Sequence, residues 1–177
     1  MKNTSISILI SNYNKEKYLR KCLNSCIDQD YENYEILLGD NGSDDNSLKI
    51  IKNFQNIKLF NIEKKFQTNE LNQLDIIKNL LNNSKGEIIL LLDSDDYFEK
   101  NKLKTIATSF NENSNKEFIC DIARIVNKNN QNSIFKYKKN INFKKRWPSI
   151  FPTSTISIRR KSLLNFFNEK FVQEYAE

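Results

Sequence analysis

The sequence predicts an α/β fold in which a mostly parallel β-sheet is flanked by helices. Between residues 1 and 112, four apolar segments of strand length alternate with four segments whose apolar residues recur at helical spacing. Because consecutive parallel strands need a crossover, usually a helix, this alternation indicates parallel strands with helices on both faces. After residue 112 the pattern changes to short strand-like segments joined by Asn- and Lys-rich links. We therefore expect one domain, whose residues 113 to 177 form a short mixed-strand C-terminal portion.

The individual elements follow from local patterns along the chain. Strands are predicted at 5–10, 34–40, 56–62 and 87–92, because each is a short run rich in Ile or Leu. Four helices are predicted from apolar stripes, which comprise Leu19, Cys22, Leu23, Cys26 and Ile27; Leu48, Ile51 and Phe54; Leu71, Leu74, Ile77, Leu80 and Leu81; and Leu103, Ile106, Ala107 and Phe110. Asn14 is expected to cap the first helix, and the third is expected to close near Gly86. Further strands are expected at 117–126, 133–137 and 154–160, followed by a helix from Lys161.

Composition restricts the chemistry that is available to this chain. It has 177 residues, a formal net charge of +6, three Cys and no His. Acid–base chemistry must therefore come mainly from Asp, Glu, Lys, Tyr or Cys. Without His or a CxxC pair, packing of the Cys side chains in the core is favoured over a zinc site. No apolar run approaches the ~20 residues that span a membrane, and the N-terminus lacks a secretory-signal pattern, so we expect a cytoplasmic protein.

Positive charge is concentrated in one segment, KYKKNINFKKRW at 136–147, in which aromatic residues are interleaved with Lys and Arg. Such a segment is either a solvated surface or a contact for a phosphorylated or membrane-bound substrate. The second interpretation predicts peripheral contact with the inner face of the membrane. Nucleic-acid binding would rest on charge alone, and we expect no nucleic-acid partner.

Three polar clusters follow predicted strands: SNYN at 11–14, GDNGSDD at 39–45 and DSDD at 93–96. Because ligands of parallel sheets bind beyond the carboxyl ends of the strands, we expect these clusters to share one edge. Crowded carboxylates repel unless a cation is present, and oxygen ligands suit Mg²⁺ or Mn²⁺, which take further oxygens from substrate phosphates. The alternative for DSDD is a strand end followed by a capped helix, with Asp96 near the helix N-terminus. An EF-hand loop is excluded, because Phe98 and Lys104 stand where it needs Gly and Glu.

Structural roles are open for several members of these clusters. The segment NGSDD at 41–45 is typical of a turn whose last three residues can cap the next helix. Asp40 directly follows a strand at the sheet edge, where a functional and a structural role are both open. Tyr13 either packs against the fold or stacks on a flat base.

Two longer segments together resemble the family two glycosyltransferases, which have the GT-A fold. These are SISILISNYNKEKYLRKCLNSCIDQDYENYEILLGDNGSDDNS and KGEIILLLDSDD, at 5–47 and 85–96. The resemblance implies transfer of a sugar, with inversion, from a nucleotide-diphospho-sugar, foremost a UDP-sugar, to a glycan or lipid-linked acceptor. Residues 1–112 would form the nucleotide-sugar-binding half and residues 113–177 the acceptor side of the same domain. A role in building bacterial surface polysaccharide is the family-level expectation.

The resemblance also assigns roles to residues of the three clusters. Asn12 and Tyr13 would line the nucleoside pocket, with Tyr13 against the base. Asp40 would hydrogen-bond the edge of the base, and Asp93 would lie near the ribose and diphosphate. Asp95, the last Asp of the family's DxD motif, would be the main ligand of Mn²⁺ or Mg²⁺. The ion would neutralise the charge that develops on the departing nucleoside diphosphate.

The chain departs from the family pattern at several positions. Ser11 replaces the usual Pro, Asn41 replaces a second Asp, and FQTNELNQLD at 66–75 replaces a segment with Asn, Gly and Arg. An inverting transferase needs a carboxylate to deprotonate the acceptor hydroxyl. The candidates are Glu174 and Glu177.

Two other functions are weighed against the transferase. If the base lies beyond residue 177, the chain is a truncated or non-catalytic nucleotide-sugar-binding domain, which predicts donor binding without turnover. An Mg²⁺-dependent phosphotransferase would instead use Asp93 as a nucleophile and form an aspartyl phosphate. That interpretation leaves the SNYN and GDNGS segments unexplained.

Overall fold

The computed structural model describes residues 3–126, 132–134 and 152–168, and the architecture below refers to these ranges. The helices and strands, in chain order, are β1 (Ile6–Asn12), α1 (Glu16–Ile27), β2 (Tyr34–Asp40), α2 (Ser47–Ile51), β3 (Ile57–Asn61), α3 (Asn69–Asn83), β4 (Ile88–Asp93), α4 (Lys102–Glu112), β5 (Phe118–Cys120), β6 (Arg124–Val126), β7 (Asn132–Ile134), β8 (Ile156–Arg159) and α5 (Arg160–Asn168). A short 3₁₀ turn at Thr153–Thr155 leads into β8. No helix in these ranges is long and apolar enough to cross a membrane.

The main sheet has six strands in the order β3-β2-β1-β4-β8-β5. Strands β3, β2, β1 and β4 are parallel, whereas β8 runs antiparallel to both of its neighbours. The strand order reverses between β1 and β4, since β2 and β3 lie on one side of β1 and β4 lies on the other. This is a topological switch point, where ligands of open α/β sheets bind. The predicted fold class, a mostly parallel sheet with helices on both faces and a mixed C-terminal portion, is confirmed.

Period-two alternation in the central strands divides the core between the two faces of the sheet. Ile8 and Ile10 of β1 pack with α1 and α4 on one face, and Leu9 packs with α3 and α5 on the other. Both faces of β1, β2 and β4 are buried, so these strands appear in the sequence as continuous apolar runs. The helices cover the sheet with their apolar stripes and leave its carboxyl edge open.

The start of α1 differs from the prediction that Asn14 caps it. Asn14 has a φ of 52° and its side chain is hydrogen bonded to Asp44 instead, with Nδ2 donating to Oδ1 over 2.7 Å. The N–H of Glu16 donates to a carboxylate oxygen of Asp45 at 2.9 Å. The other oxygen of Asp45 accepts from the N–H of Ser47 at 2.8 Å, as expected for a residue that caps the following helix. One carboxylate from the loop after β2 therefore accepts a hydrogen bond from the first N–H group of both α1 and α2.

Gly86 also has a role other than the predicted one of closing α3. The helix ends at Asn83, followed by Ser84 in an extended conformation. A Cβ on Gly86 would lie 2.3 Å from the backbone nitrogen of Ser7, and the N–H of Gly86 donates to Ser7 Oγ at 2.8 Å. The position is a glycine because the chain passes against the backbone of β1 just before entering β4.

The C-terminal portion is more broken than the sequence predicts. The strand expected at 117–126 is two strands, since the chain leaves the sheet at Asp121, whose N–H donates to the carbonyl of Thr155 at 3.0 Å. Strand β6 pairs with β7 in a separate hairpin, while β5 joins the main sheet through β8. Of the strand expected at 133–137, residues 135–137 lie outside the described ranges. The strand expected at 154–160 begins at Ile156, and α5 begins one residue earlier than predicted.

Candidate functional site

A cleft of about 290 Å³ lies at the carboxyl ends of β1 and β4, at the switch point of the sheet. Strand register brings the ends of three strands level there, because Ser11 lies beside Asp93 and Asn12 beside Asp40. The cleft is lined by Ser11, Asn12, Tyr13, Lys15, Asn41, Asn69, Glu70, Asn72, Gln73, Ile76, Asp93, Ser94 and Asp95. The three polar clusters therefore meet at one edge, as the sequence predicts.

Asp93 is held in place at the end of β4 by residues from three other segments. Its Oδ1 accepts hydrogen bonds from Gln73 Nε2 at 2.6 Å and from Ser11 Oγ at 3.3 Å, and its N–H donates to Ser154 Oγ at 3.0 Å. Burial raises the pKa of Asp93 to about 6, and the negative charges of Asp96 and Asp95 add to this effect. Hydrogen bonding to Ser11 and the positive charge of Lys15 oppose the rise in the pKa.

Asp95 projects into the open part of the cleft, where its side chain is 39% exposed. Its Oδ2 lies 2.5 Å from Nζ of Lys15, whose side chain is equally exposed. The hydrogen bond to Asp95 raises the pKa of Lys15, against a smaller opposing effect of burial. Lys15 stands between the end of β1 and the start of α1, so its ammonium group reaches the DxD segment across the switch point.

Asp96 is not near a helix N-terminus, which corrects the structural alternative offered for it. Helix α4 begins only at Lys102, and Asp96 lies in a turn in which its N–H donates to the carbonyl of Asp93 at 2.9 Å. The carboxyl group of Asp96 is hydrogen bonded to Ser154. Asp96 is therefore tied to the C-terminal portion of the chain rather than to α4.

Asn12 and Asp40 form a buried pair behind the cleft. Asn12 is 1% exposed, and its Nδ2 donates to Asp40 Oδ1 at 2.7 Å and to Ser43 Oγ at 3.2 Å. Asp40 also accepts from Ser43, at 2.7 Å from Oγ and at 2.9 Å from the N–H. Beside it, Asn41 lines the cleft and donates to the carbonyl of Ile62 at 2.9 Å. The Asp40 carboxylate thus fixes the turn after β2, and its predicted contact with a base stays a prediction.

Tyr13 stands at the mouth of the cleft with 37% of its surface exposed. The Nζ atom of Lys64 lies 3.3 Å from the centroid of its ring, in a cation–π arrangement. Tyr13 is therefore a partly exposed cleft residue and not a core residue, and Lys64 covers one face of its ring.

Sequence reasoning missed several residues of the site, and two of them carried a signal. Gln73 and Asn72 each stand one helical turn before a buried apolar residue of α3, namely Ile77 and Ile76. Asn72 Oδ1 accepts from the N–H groups of residues 65 and 66, and Nδ2 donates to the carbonyls of residues 66 and 68. The signal in the sequence is therefore a polar residue that lies in the row of a buried apolar stripe. Lys15 and Ser154 gave no comparable signal.

The carboxylates at this edge could supply only some of the oxygen ligands of a hard divalent cation, and a bound substrate would have to supply others. Within residues 3–126, 132–134 and 152–168, no group of three or more His, Cys, Asp or Glu side chains is placed to hold a metal. Mg²⁺ and Mn²⁺ are commonly bound by one or two carboxylates, with water and substrate phosphates completing the coordination. Asp95, which is paired with the ammonium group of Lys15, and the neighbouring Asp93 meet that requirement.

The candidate bases Glu174 and Glu177 lie outside the described ranges.

Two known glycosyltransferases resemble this chain in sequence. It is 34% identical over 136 residues to the dolichyl N-acetyl-alpha-D-glucosaminyl phosphate 3-beta-D-2,3-diacetamido-2,3-dideoxy-beta-D-glucuronosyltransferase of Methanococcus voltae, a match to 72% of this chain and 40% of that protein. It is 30% identical over 132 residues to the poly(ribitol-phosphate) beta-N-acetylglucosaminyltransferase TarS of Staphylococcus aureus, a match to 73% of this chain and 23% of TarS. The chain thus spans less than half the length of either relative.

Solved structures and a family model extend the comparison. Residues 1–349 of TarS in complex with UDP match 92% of this chain and 48% of that one, with a TM-score of 0.66 and 23% identity; TarS was also solved with UDP-GlcNAc. The mannosyltransferase PcManGT of Pyrobaculum calidifontis, solved with GDP-Man and Mn²⁺, matches 92% of this chain and 46% of that one, with a TM-score of 0.65 and 14% identity. At these identities the structures show a shared GT-A-like fold.

The sequence model of glycosyl transferase family 2 matches residues 7–167. The chain therefore belongs to glycosyl transferase family 2.

Proposed function

We propose that this chain binds a nucleotide-diphospho-sugar, foremost a UDP-sugar, in the cleft and transfers its sugar with inversion to a glycan or lipid-linked acceptor. The observation that carries the proposal is the convergence of three strand ends, which bear Asn12, Asp40 and Asp93, at one polar cleft that Asn12 and Asp93 line. Family membership supports the reaction class, and the UDP and UDP-GlcNAc complexes of TarS support the choice of a uridine nucleotide.

Each half of the cleft suits one part of such a donor. The partly exposed ring of Tyr13 is the candidate stacking surface for a flat base, and the buried Asn12–Asp40 pair hydrogen-bonds Ser43 of the neighbouring turn. At the other end, Asp93 and Asp95 line the cleft, and their carboxylates suit a diphosphate together with its counter-ion. Mn²⁺ or Mg²⁺, when bound to Asp95, would supply positive charge to the departing nucleoside diphosphate. The Mn²⁺ in the structure of PcManGT supports the choice of ion.

The transfer step needs a base from this chain as well. The acceptor hydroxyl oxygen forms a bond to the anomeric carbon, the bond from that carbon to the diphosphate oxygen breaks, and a carboxylate takes the hydroxyl proton. Glu174 and Glu177 remain the proposed candidates for this carboxylate. A Glu→Gln change at the true base is expected to abolish transfer and leave donor affinity within about twofold, because a glutamine of the same shape cannot accept the proton.

Calorimetric titration of UDP, GDP, CDP and dTDP, each with and without Mn²⁺, tests the donor site. We expect one nucleotide to bind in a Mn²⁺-dependent manner, and we expect Asp95→Ala to remove that dependence. Asp28→Ala is the matched control, because Asp28 is an exposed carboxylate just beyond the far end of α1, about 18 Å from its start. Failure of every nucleotide to bind the folded protein would contradict the proposal. If the matching nucleotide-sugar binds but its nucleoside diphosphate is not released when an acceptor is added, the non-catalytic alternative would be supported.

We also propose that the basic segment at 136–147 brings the chain to the inner face of the membrane, where a lipid-linked acceptor would be found. This segment lies outside the described ranges, so the proposal rests on its sequence alone. Reversal of charge at Lys144, Lys145 and Arg146 is expected to weaken association with anionic liposomes, at about 1 kcal/mol for each charge near the surface. Unchanged liposome association would contradict it.

A further inference from the structure

We propose that Lys15 is a resident cation of the donor site, which holds Asp95 while the site is empty, competes there with the divalent ion, and turns to the diphosphate when the donor binds. The inference rests on the proposed donor function and adds to it a residue that none of the sequence motifs identified. It also predicts an order of events, in which the metal ion binds well only together with the nucleotide.

The backbone of Lys15 is fixed, and its side chain is the part that can move. The N–H of Lys15 donates to Ser47 Oγ at 3.3 Å. The preceding residue, Asn14, exchanges two hydrogen bonds with Asp44, of 2.7 and 2.9 Å. Beyond this anchored backbone, the side chain is 39% exposed and lines the cleft. Its ammonium group can therefore exchange one partner in the cleft for another without a change in the fold.

The charges around Lys15 make it the natural counter-ion of the DxD segment. Three carboxylates, Asp93, Asp95 and Asp96, lie within four residues at the end of β4. In the part of the chain that the structure describes, Lys15 is the one cationic side chain in ion-pair contact with any of these three. Lys64, the other lysine near the cleft mouth, lies over the ring of Tyr13 instead. One of the positive charges that the carboxylate cluster requires is thus already supplied by Lys15.

Competition with a metal ion follows from the position of the ammonium group. Nζ of Lys15 lies 2.5 Å from Asp95 Oδ2, so a second cation cannot bind that oxygen unless the lysine leaves or both positive charges crowd together. A nucleoside diphosphate changes this balance, because its phosphate oxygens offer the ammonium group a new anionic partner within the same cleft. Lys15 should therefore weaken metal binding in the absence of nucleotide and strengthen nucleotide binding in the absence of metal.

These opposite effects define the experiment. Mn²⁺ binding to the nucleotide-free protein is measured by electron paramagnetic resonance, and UDP binding in EDTA is measured by calorimetry. We expect Lys15→Met to bind Mn²⁺ up to about fivefold more tightly and UDP in EDTA about fivefold more weakly, the range of a partly exposed ion pair. Lys17→Met is the matched control, because it removes the same charge from an exposed position two residues away and should behave as wild type in both assays. Lys15→Arg keeps the charge and should retain the weak Mn²⁺ binding of the wild type.

The outcomes separate this inference from the proposed function. Equal Mn²⁺ affinities of Lys15→Met and the wild type would overturn the role of Lys15, even where Mn²⁺-dependent UDP binding shows that the donor site exists. Equal effects of Lys15→Met and Lys17→Met would also overturn it, because they would show a general charge effect. If none of UDP, GDP, CDP and dTDP binds any folded variant, with or without Mn²⁺, the proposed function itself fails, and this inference fails with it. Thermal unfolding of each variant confirms that the proteins compared are folded.

Discussion

Replacement of Asp93 by asparagine should stabilise this fold at neutral pH while it impairs donor binding. Asp93 is half-buried next to Asp95 and Asp96, and its pKa is raised from 3.8 to about 6, chiefly by burial. The folded protein therefore binds the proton of Asp93 more tightly than the unfolded chain does. Ionisation of this group at neutral pH costs folding free energy, which an uncharged isostere avoids.

The size of the effect follows from the difference in pKa. At about 1.4 kcal/mol for each factor of ten in proton affinity, a rise from 3.8 to about 6 corresponds to roughly 3 kcal/mol. The favourable contribution of protonated Asp93 is fully present below pH 3.8 and is lost as the pH rises through about 6. The amide of the Asp93→Asn variant cannot ionise, so the variant should match the wild type near pH 4 and exceed its free energy of unfolding by about 2–3 kcal/mol above pH 7.

Urea denaturation at pH 4, 5, 6, 7 and 8 measures this difference directly. Asp28→Asn serves as control, because Asp28 is exposed and lies away from the carboxylate cluster. We expect the stability difference between wild type and Asp93→Asn to open between pH 4 and 6 and to stay constant above pH 7. A difference that is the same at every pH would refute the reasoning, since it would show that ionisation of Asp93 is not the cause. The same variant should bind UDP with Mn²⁺ at least tenfold more weakly, at about 1.4 kcal/mol for each factor of ten.

Three further substitutions test other parts of the fold and site. Gly86→Ala should lower the free energy of unfolding by about 1–3 kcal/mol, because its Cβ would lie 2.3 Å from Ser7 N; a loss below about 0.5 kcal/mol in urea would contradict this close approach. Glu35→Gln should cost about 1–2 kcal/mol at pH 7. Burial alone would raise the pKa of Glu35, but hydrogen bonds from Lys58 and Ser7 lower it overall. The loss of unfolding free energy in Glu35→Gln should therefore fade below pH 4.5. A loss that is independent of pH would show that the negative charge of Glu35 is not its cause. Tyr13→Leu should weaken UDP binding about fivefold by calorimetry, and equal affinity would rule out stacking on the ring.

The main elements of the fold were predictable because each has a strong local pattern. Strands β1 and β4 are buried on both faces and therefore appear as uninterrupted Ile and Leu runs. Helix α1 has buried residues at Leu19, Cys22, Leu23 and Cys26, at helical spacing. The meeting of the three polar clusters was also predictable, because parallel strands bring their carboxyl ends to one edge.

The errors arose where a residue acts on a segment that is distant in sequence. Asp45 caps α1 across a gap of 29 residues, and no local pattern around Asn14 reveals this partner. Gly86 resembles a helix-closing glycine in sequence, but its role depends on how closely the chain approaches Ser7 of β1. Strands β5 to β8 have three or four residues each, which is too short for period-two alternation to be recognised. Their positions follow from pairing with other strands and not from their own composition.

The run of carboxylates at the end of β4 is tolerated because each is held by a different part of the chain. Gln73 of α3 and Ser11 of β1 hydrogen-bond Asp93, Lys15 at the start of α1 pairs with Asp95, and Ser154 bonds Asp96. Ser154 also accepts the N–H of Asp93, so the turn before β8 supports two of the three acidic residues. Residues beyond 150 therefore help to shape the cleft, although the family resemblance implies that they belong to the acceptor side. Ser154→Ala should for this reason weaken Mn²⁺-dependent UDP binding in calorimetry, because it removes hydrogen bonds to Asp93 and Asp96 that support the segment containing Asp93 and Asp95.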